Sequence, residues 1–364
     1  MQNLKKQTIL CLLFIGCLTA VFAEIDSPGF LDDIEFSSDA VENSRCGPTD
    51  NWIKTNFNRE NWMANLGPVI EDIPIKDLRL IGSHDTATYT IVMLGDEFSV
   101  TQNSRVYWQL YGGVRYLDLR VGDYNGVSGI RVAHGSHYGS HIQDILAGIS
   151  EFTKTHPKEL VIMRVSESGS QIKAHQKATL MQEFEKYFGP QMVRGSDKWF
   201  NVSTSTMGDF WRHNKSVLVF FEEPLIKFSI YKWNGMKDLT WEQANLKGFW
   251  NAGKLIYDPW ADTDSMSTLR IRNEDYWRRA QSMNNSLYVA QYVITPSIKG
   301  GVKLRTTQMQ HDNDLPKFFR EFSPKGRFNI ILADFVFGCN PGSEAYFVDE
   351  VINSNKLIAT KKSE

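Results

Sequence analysis

LIGSHDT (Leu80 to Thr86), VRYLDLRVG (Val114 to Gly122) and IRVAHG (Ile130 to Gly135) are short apolar runs that each close on polar, reactive side chains. Apolar runs of this length with β-branched residues, bounded by glycine, read as buried strands. They deliver His84 and Asp85, then Arg120, then His134. Catalytic side chains of α/β barrels sit at the C-terminal ends of the strands. The three runs therefore predict three neighbouring strands that meet at one site.

Outward from this stretch, strand and helix patterns alternate. Strands are expected at 77–81, 114–121, 130–133, 160–165, 216–221, 254–257, 286–294 and 328–333. Helical patterns fall at 106–111, 141–155, 172–188, 241–246, 274–283 and 316–321. Eight strands with helical crossovers predict an α/β fold, a (β/α)8 TIM-type barrel over residues 71–340. Its unequal first and last connections leave room for an irregular barrel. An open doubly wound sheet competes, but no glycine-rich phosphate loop follows the first strand. Residues 24–70 read as an N-terminal extension packed on the barrel, and 341–364 as a C-terminal tail.

Residues 1–23 carry Lys5 and Lys6, an apolar run from Ile9 to Phe22 and small residues before Glu24, the pattern of a signal peptide. That run is short for a membrane span, which needs about 20 apolar residues. A secreted chain is expected. After removal of the leader only Cys46 and Cys339 remain, and in an oxidising compartment they are expected to pair; two free thiols are the alternative. Sequons at Asn201, Asn214 and Asn284 are expected glycosylation sites. A net charge of −2 argues against nucleic acid as a partner. The aromatic region 231–260 suits either a lipid surface or core packing.

His84 and Asp85 are adjacent, so on an extended strand end their side chains are expected to point apart. Asp85 is then free to orient His134. Closure of a barrel sets the last strand beside the first, and the last strand ends ILADFV, which makes Asp334 the expected partner of His84. Two His–Asp pairs flanking a guanidinium suit acid–base cleavage of a phosphodiester. Arg120 would hold the phosphate and its developing charge. With no good metal cage in the pattern, the nucleophile is expected to be a substrate hydroxyl beside the phosphate, giving a cyclic phosphodiester.

At these residues the chain resembles the X-type catalytic domain of phosphatidylinositol-specific phospholipase C. LIGSHDT is similar to its first motif, GGVRYLDLRV to its second and VAHG to its third. HPKELVIMRV is similar to the helix-to-strand step that follows, and ILADFV to the final strand. The resemblance runs in order over roughly residues 70 to 340. It implies His84 with Asp334 as general base, His134 with Asp85 as general acid, and Arg120 on the phosphate. It also implies attack by the inositol 2-hydroxyl, releasing diacylglycerol and a cyclic inositol phosphate. Calcium-dependent eukaryotic members carry Asn after the first histidine and an acidic residue where Arg120 stands. Asp85 and Arg120 match the metal-independent bacterial type, so no metal and no cofactor are expected, with Asp118 a leftover carboxylate. Arg164 and Asp258 match positions that hold inositol hydroxyls or phosphate, and Trp260 falls where an aromatic residue stacks on the ring. Glu222 and Glu223 stand where a basic residue is expected.

The leading expectation is thus a secreted, calcium-independent phosphodiesterase acting on a phosphoinositide or GPI-like lipid, with transient contact to a membrane surface. Two alternatives remain open. One is a magnesium-dependent barrel enzyme of the glycerophosphodiesterase or sphingomyelinase D type. The other is a non-catalytic lipid- or sugar-binding barrel. HGSHYGSH (His134 to His141) groups three histidines, but its glycine content and spacing favour a surface or substrate loop over a metal site.

Overall fold

A computed structural model describes residues 58–92, 99–124, 129–226, 247–295, 314–337 and 344–362. The leader, most of the extension, Cys46 and Cys339 lie outside the described residues, so the expected disulfide does too. Eight parallel strands curl into a barrel: β1 (Leu80–Ser83), β2 (Tyr116–Asp123), β5 (Val161–Glu167), β6 (Val217–Phe221), β7 (Phe249–Asn251), β8 (Ile256–Tyr257), β9 (Leu287–Gln291) and β10 (Ile330–Ala333). Their order is β7-β6-β5-β2-β1-β10-β9-β8. First and last strands pair as expected, with Leu80 opposite Ile330 and Ser83 opposite Ala333. The strands at the two ends of the path, β7 and β8, are not hydrogen-bonded to each other, so the barrel is an irregular one, open at that seam.

Two strand expectations change. Residues 130–133 do not join the barrel. They lie in β3 (Ile130–His134), which pairs antiparallel with β2 and then with β4 (His137–His141). The cause is chain length, since only the short segment 124–129 links β2 to β3, whereas a parallel crossover takes about a dozen residues or more. In place of that strand the barrel uses β7, whose three residues, Phe249–Asn251, are too few to show a period. Helix positions agree more closely. Helices α2 (Val106–Tyr111), α3 (Ile142–Thr155) and α4 (Ala174–Phe188) occupy the expected ranges. Helix α6 (Met266–Ala280), by contrast, begins well before 274, capped by Ser265 on the Thr268 amide; α5 (Met207–Arg212) precedes it in the chain. The expected helix 241–246 lies outside the described residues.

The barrel floor, where the strands begin, is structural. Arg115, just before β2, and Glu159, just before β5, form a fully buried ion pair of 2.6 Å. The Glu159 carboxylate also accepts the Met63 and Ala64 amides at 3.2 and 2.9 Å. Those are among the orphan donors of helix α1 (Trp62–Ile70), whose own N-cap residue, Asn61, makes no capping bond. One carboxylate thus docks the end of the extension on the barrel. The expected tail is mostly helix α8 (Glu344–Lys362), with 314–322 forming α7 before it. Val348, Val351 and Ile352 of α8 are buried, and Asn355 brackets the backbone of Arg79, accepting its N–H at 2.8 Å and donating to its carbonyl at 3.0 Å. Gly113, at φ +108°, lets Val348 and Ile352 close on the loop before β2.

Candidate active site

Along β2, side chains alternate between lumen and outer face. Tyr116, Asp118 and Arg120 share the lumen, while Leu117, Leu119 and Val121 pack outward into the core. The β2–β5 register sets Asp118 beside Arg164. Arg120 and Arg164 therefore follow from strand period and register alone.

β1 ends at Ser83, and the chain turns at once. Asp85 adopts φ +43°, a left-handed conformation that Asp tolerates better than most residues. The Thr86 amide bonds the Asp118 carbonyl at 2.8 Å, and Gln109 holds the Thr86 carbonyl. The turn corrects the expectation that His84 and Asp85 point apart: the backbone is not extended there, and Asp85 Oδ2 lies 3.6 Å from His84 Nε2. The fully buried Asp85 carboxylate also faces His134 Nε2 at 3.4 Å and closely contacts Arg120 Nε. Among the described residues neither oxygen makes a well-aligned hydrogen bond, so charge is what ties these groups together.

His84 Nδ1 lies 2.6 Å from Asp334 Oδ1, the partner that barrel closure predicts. Its Nε2 stands 2.8 Å from Arg120 Nη2. A guanidinium can only donate, so the geometry describes a neutral ring with its proton on Nδ1 and its Nε2 lone pair toward Arg120. Burial pushes the His84 pKa down, but the carboxylates of Asp85 and Asp334 outweigh it and hold it above 6.5. For His134 burial prevails, with Arg120 and His84 assisting against Asp85, and the pKa lies below 6.5. The hairpin β3–β4 carries His134 over the lumen. Its turn at Gly135 is tied to Ser168, and the Ser140 amide bonds Thr90. His137, cross-strand from His134, bonds Ser99 at 2.9 Å, and His141 bonds Arg131, so among the described residues the histidines of HGSHYGSH serve separate contacts.

Donor atoms of His84, Asp85 and Asp118 lie within 4.8 Å of one another, close enough to share one cation. Arg120 contacts all three and is the cation of that cluster. Burial raises the Asp118 carboxyl, but Arg120, Arg164 and His84 overcome this and hold it at about 2.

A second charged group adjoins the first. Arg164 bonds Asp118 at 2.9 Å and Asp258 at 3.0 Å, and also grips Glu222. Burial, with Asp118 and Glu222 adding to it against Arg164, raises the Asp258 carboxyl to about 6. Arg164 and Asp258 thus meet beside the Arg120 cluster. Trp260 is 52% exposed, its indole N–H on Thr295. Trp250, from the same aromatic region, is instead packed against Phe200 with its N–H on Val193. Glu222 was legible only as an anomaly, although its place just past β6 is where barrel site residues sit.

A family-wide profile of the phosphatidylinositol-specific phospholipase C X domain matches residues 80–219. The chain contains a phosphatidylinositol-specific phospholipase C X domain. It is 26% identical to human PI-PLC X domain-containing protein 2 over 281 residues, covering 70% of this chain and 84% of that protein. It is 30% identical to the 1-phosphatidylinositol phosphodiesterase of Listeria monocytogenes over 124 residues, 32% of this chain and 37% of that one. The solved structure of phosphatidylinositol-specific phospholipase C from Listeria monocytogenes superposes with a TM-score of 0.59 at 20% identity, covering 82% of this chain and 98% of that one. The shared fold therefore covers more of the chain than the profile match over residues 80–219.

Proposed function

We propose that this X domain is a metal-independent phosphodiesterase that cleaves phosphatidylinositol-type or GPI-type lipids to diacylglycerol and a cyclic inositol phosphate. The observation that carries the reading is the position of Arg120, between the His84–Asp334 and His134–Asp85 pairs and in contact with Asp118. A permanently charged fork in that place can bind the phosphate oxygens.

His84 Nε2 takes the proton of the headgroup hydroxyl as that oxygen bonds phosphorus. The bond from phosphorus to the glycerol oxygen breaks, and His134 returns a proton to the leaving oxygen. Intramolecular attack of an aligned hydroxyl gains an effective concentration of about 10⁵ M or more. In the free site the two imidazole pKa values run against these roles, with the base raised and the acid lowered. A phosphodiester anion seated on Arg120 adds negative charge beside His134 and favours its protonation as substrate arrives. In this reading Arg164 and Asp258 hydrogen-bond ring hydroxyls and Trp260 offers an exposed face, which their pairing and the exposure of Trp260 support.

The leader-like segment and the exposed positions of Asn201, Asn214 and Asn284 support a secreted, glycosylated chain. Among the described residues no helix is long and apolar enough to cross a membrane, and contact with a lipid surface is read as transient. The test incubates the protein with vesicles of phosphatidylinositol or phosphatidylcholine in excess chelator and follows phosphorus NMR. A cyclic phosphate signal from phosphatidylinositol alone is expected. No cleavage of either lipid, or cleavage abolished by the chelator, refutes the proposal.

A further inference from the structure

The β1–β10 ladder makes its last bond from the His84 amide to the Ala333 carbonyl at 3.0 Å. Beyond it both chains leave the sheet, yet His84 and Asp334 meet at 2.6 Å. What holds them there comes from a third segment. Gln102, 1% exposed, donates from Nε2 to the His84 and Ala333 carbonyls, both at 3.0 Å. Its Oε1 accepts the Val336 amide at 3.2 Å. Thr101, equally buried, sets Oγ1 2.9 Å from the His84 carbonyl and accepts the Phe335 amide on its own carbonyl.

Phe335 sits between these attachments at φ +47°. Left-handed backbone strains a bulky residue and persists only where its surroundings over-determine it. Here the amides of Phe335 and of Val336 after it are bound by Thr101 and Gln102. The strained residue is next in chain to the carboxylate that orients the proposed general base.

We infer that Gln102 is a positioning residue, a carboxamide staple that locks the ends of β1 and β10 so that Asp334 stays on His84. Among the described residues its side chain bonds only backbone. It therefore acts on chemistry through the His84–Asp334 couple, whose other charged neighbours among the described residues are Asp85, Arg120, Asp118 and His134.

The inference rests on the catalytic role proposed for His84, but its test does not need turnover. In the full-length chain, NMR titration of the His84 ring is compared between wild type and Gln102→Met, which keeps length and loses both donors. The expected result is a fall in the His84 pKa of roughly half a unit or more, since a looser couple weakens the Asp334 hydrogen bond. With phosphatidylinositol vesicles, kcat falls about 10- to 100-fold, the scale of misplacement by up to 1 Å, while KM changes less than about threefold. In an Asp334→Asn background the same change leaves the His84 titration where Asp334→Asn put it. A folded Gln102→Met protein with wild-type His84 titration overturns the inference, as does additivity in the double variant. Should Gln102→Met not fold, Gln102→Asn retains the donors on a shorter arm, and an unshifted His84 there also overturns it. A shifted titration in a chain that cleaves neither lipid leaves the staple standing and removes the catalytic reading.

Discussion

Replacing Asp334 by Asn probes the proposed general base most directly. The His84–Asp334 contact is 2.6 Å, between side chains only 12% and 6% exposed. A hydrogen bond to a charged group contributes about 1.5–3 kcal/mol net, and one pKa unit corresponds to about 1.4 kcal/mol. Asp334→Asn should therefore lower the His84 pKa by about 1–2 units, with Asp85 still pressing it upward. The working form of a general base is neutral, so activity is lost as pH falls through the His84 pKa. In wild type that acid limb of kcat/KM lies above 6.5, and in the variant it moves down. The rate still drops, because an Asn amide can bond Nδ1 as a donor and so favour the tautomer with its proton on Nε2. The analogous change in the Ser-His-Asp triad costs about 10⁴-fold in kcat, and a loss of about 10²- to 10⁴-fold is expected here. NMR titration of His84 and the pH dependence of kcat/KM read the two effects separately. An unshifted His84 pKa, or an acid limb that does not move with it, refutes the assignment.

His134→Ala should cost at least about 10²-fold on a lipid, whose alkoxide needs a proton, and little on an aryl ester of inositol phosphate, whose leaving group does not; equal losses on both would remove His134 as the acid. Asp118, Glu222 and Asp258 exceed Arg164 in charge, so Glu222→Gln should bring the Asp258 carboxyl down from about 6 and raise the relative rate on phosphatidylinositol bearing an extra ring phosphate, both measurable by carboxyl NMR and vesicle competition. Glu159→Ala leaves Arg115 buried and uncompensated, and should cost about 3–5 kcal/mol in urea unfolding. It should leave kcat unchanged at temperatures where the variant is folded, because the pair lies at the opposite end of the strands from the site.

Much of the site was legible because strand period and barrel closure are local rules with long reach. Alternation along Tyr116 to Arg120 puts Asp118 and Arg120 on one face wherever the strand lies. Pairing of the first and last strands brings Asp334 to His84 across 250 positions. The hairpin at 130–141 was missed: apolar content made 130–133 resemble a barrel strand, although its link to β2 is too short for a crossover. Helix α8, read as a tail, and β7, with three residues, carried too little pattern to be recognised.

Other features have no local signal at all. Asp85 turns left-handed because the Thr86 amide finds the Asp118 carbonyl, and that single dihedral angle converts an expected His–Asp pair into a carboxylate shared by His84, Arg120 and His134. Glu222 meets Arg164 only through the β5–β6 register, and Gln102 reads in the chain as an ordinary loop residue. Composition and periodicity sufficed for the barrel class and for the order of the candidate side chains along it, because these depend on strand spacing and on which face of a strand a residue occupies. The charge-sharing, the excess of acid around Arg164 and the staple on the proposed base depend on which backbone groups the packed fold leaves without partners, and only assembly of the whole barrel creates those.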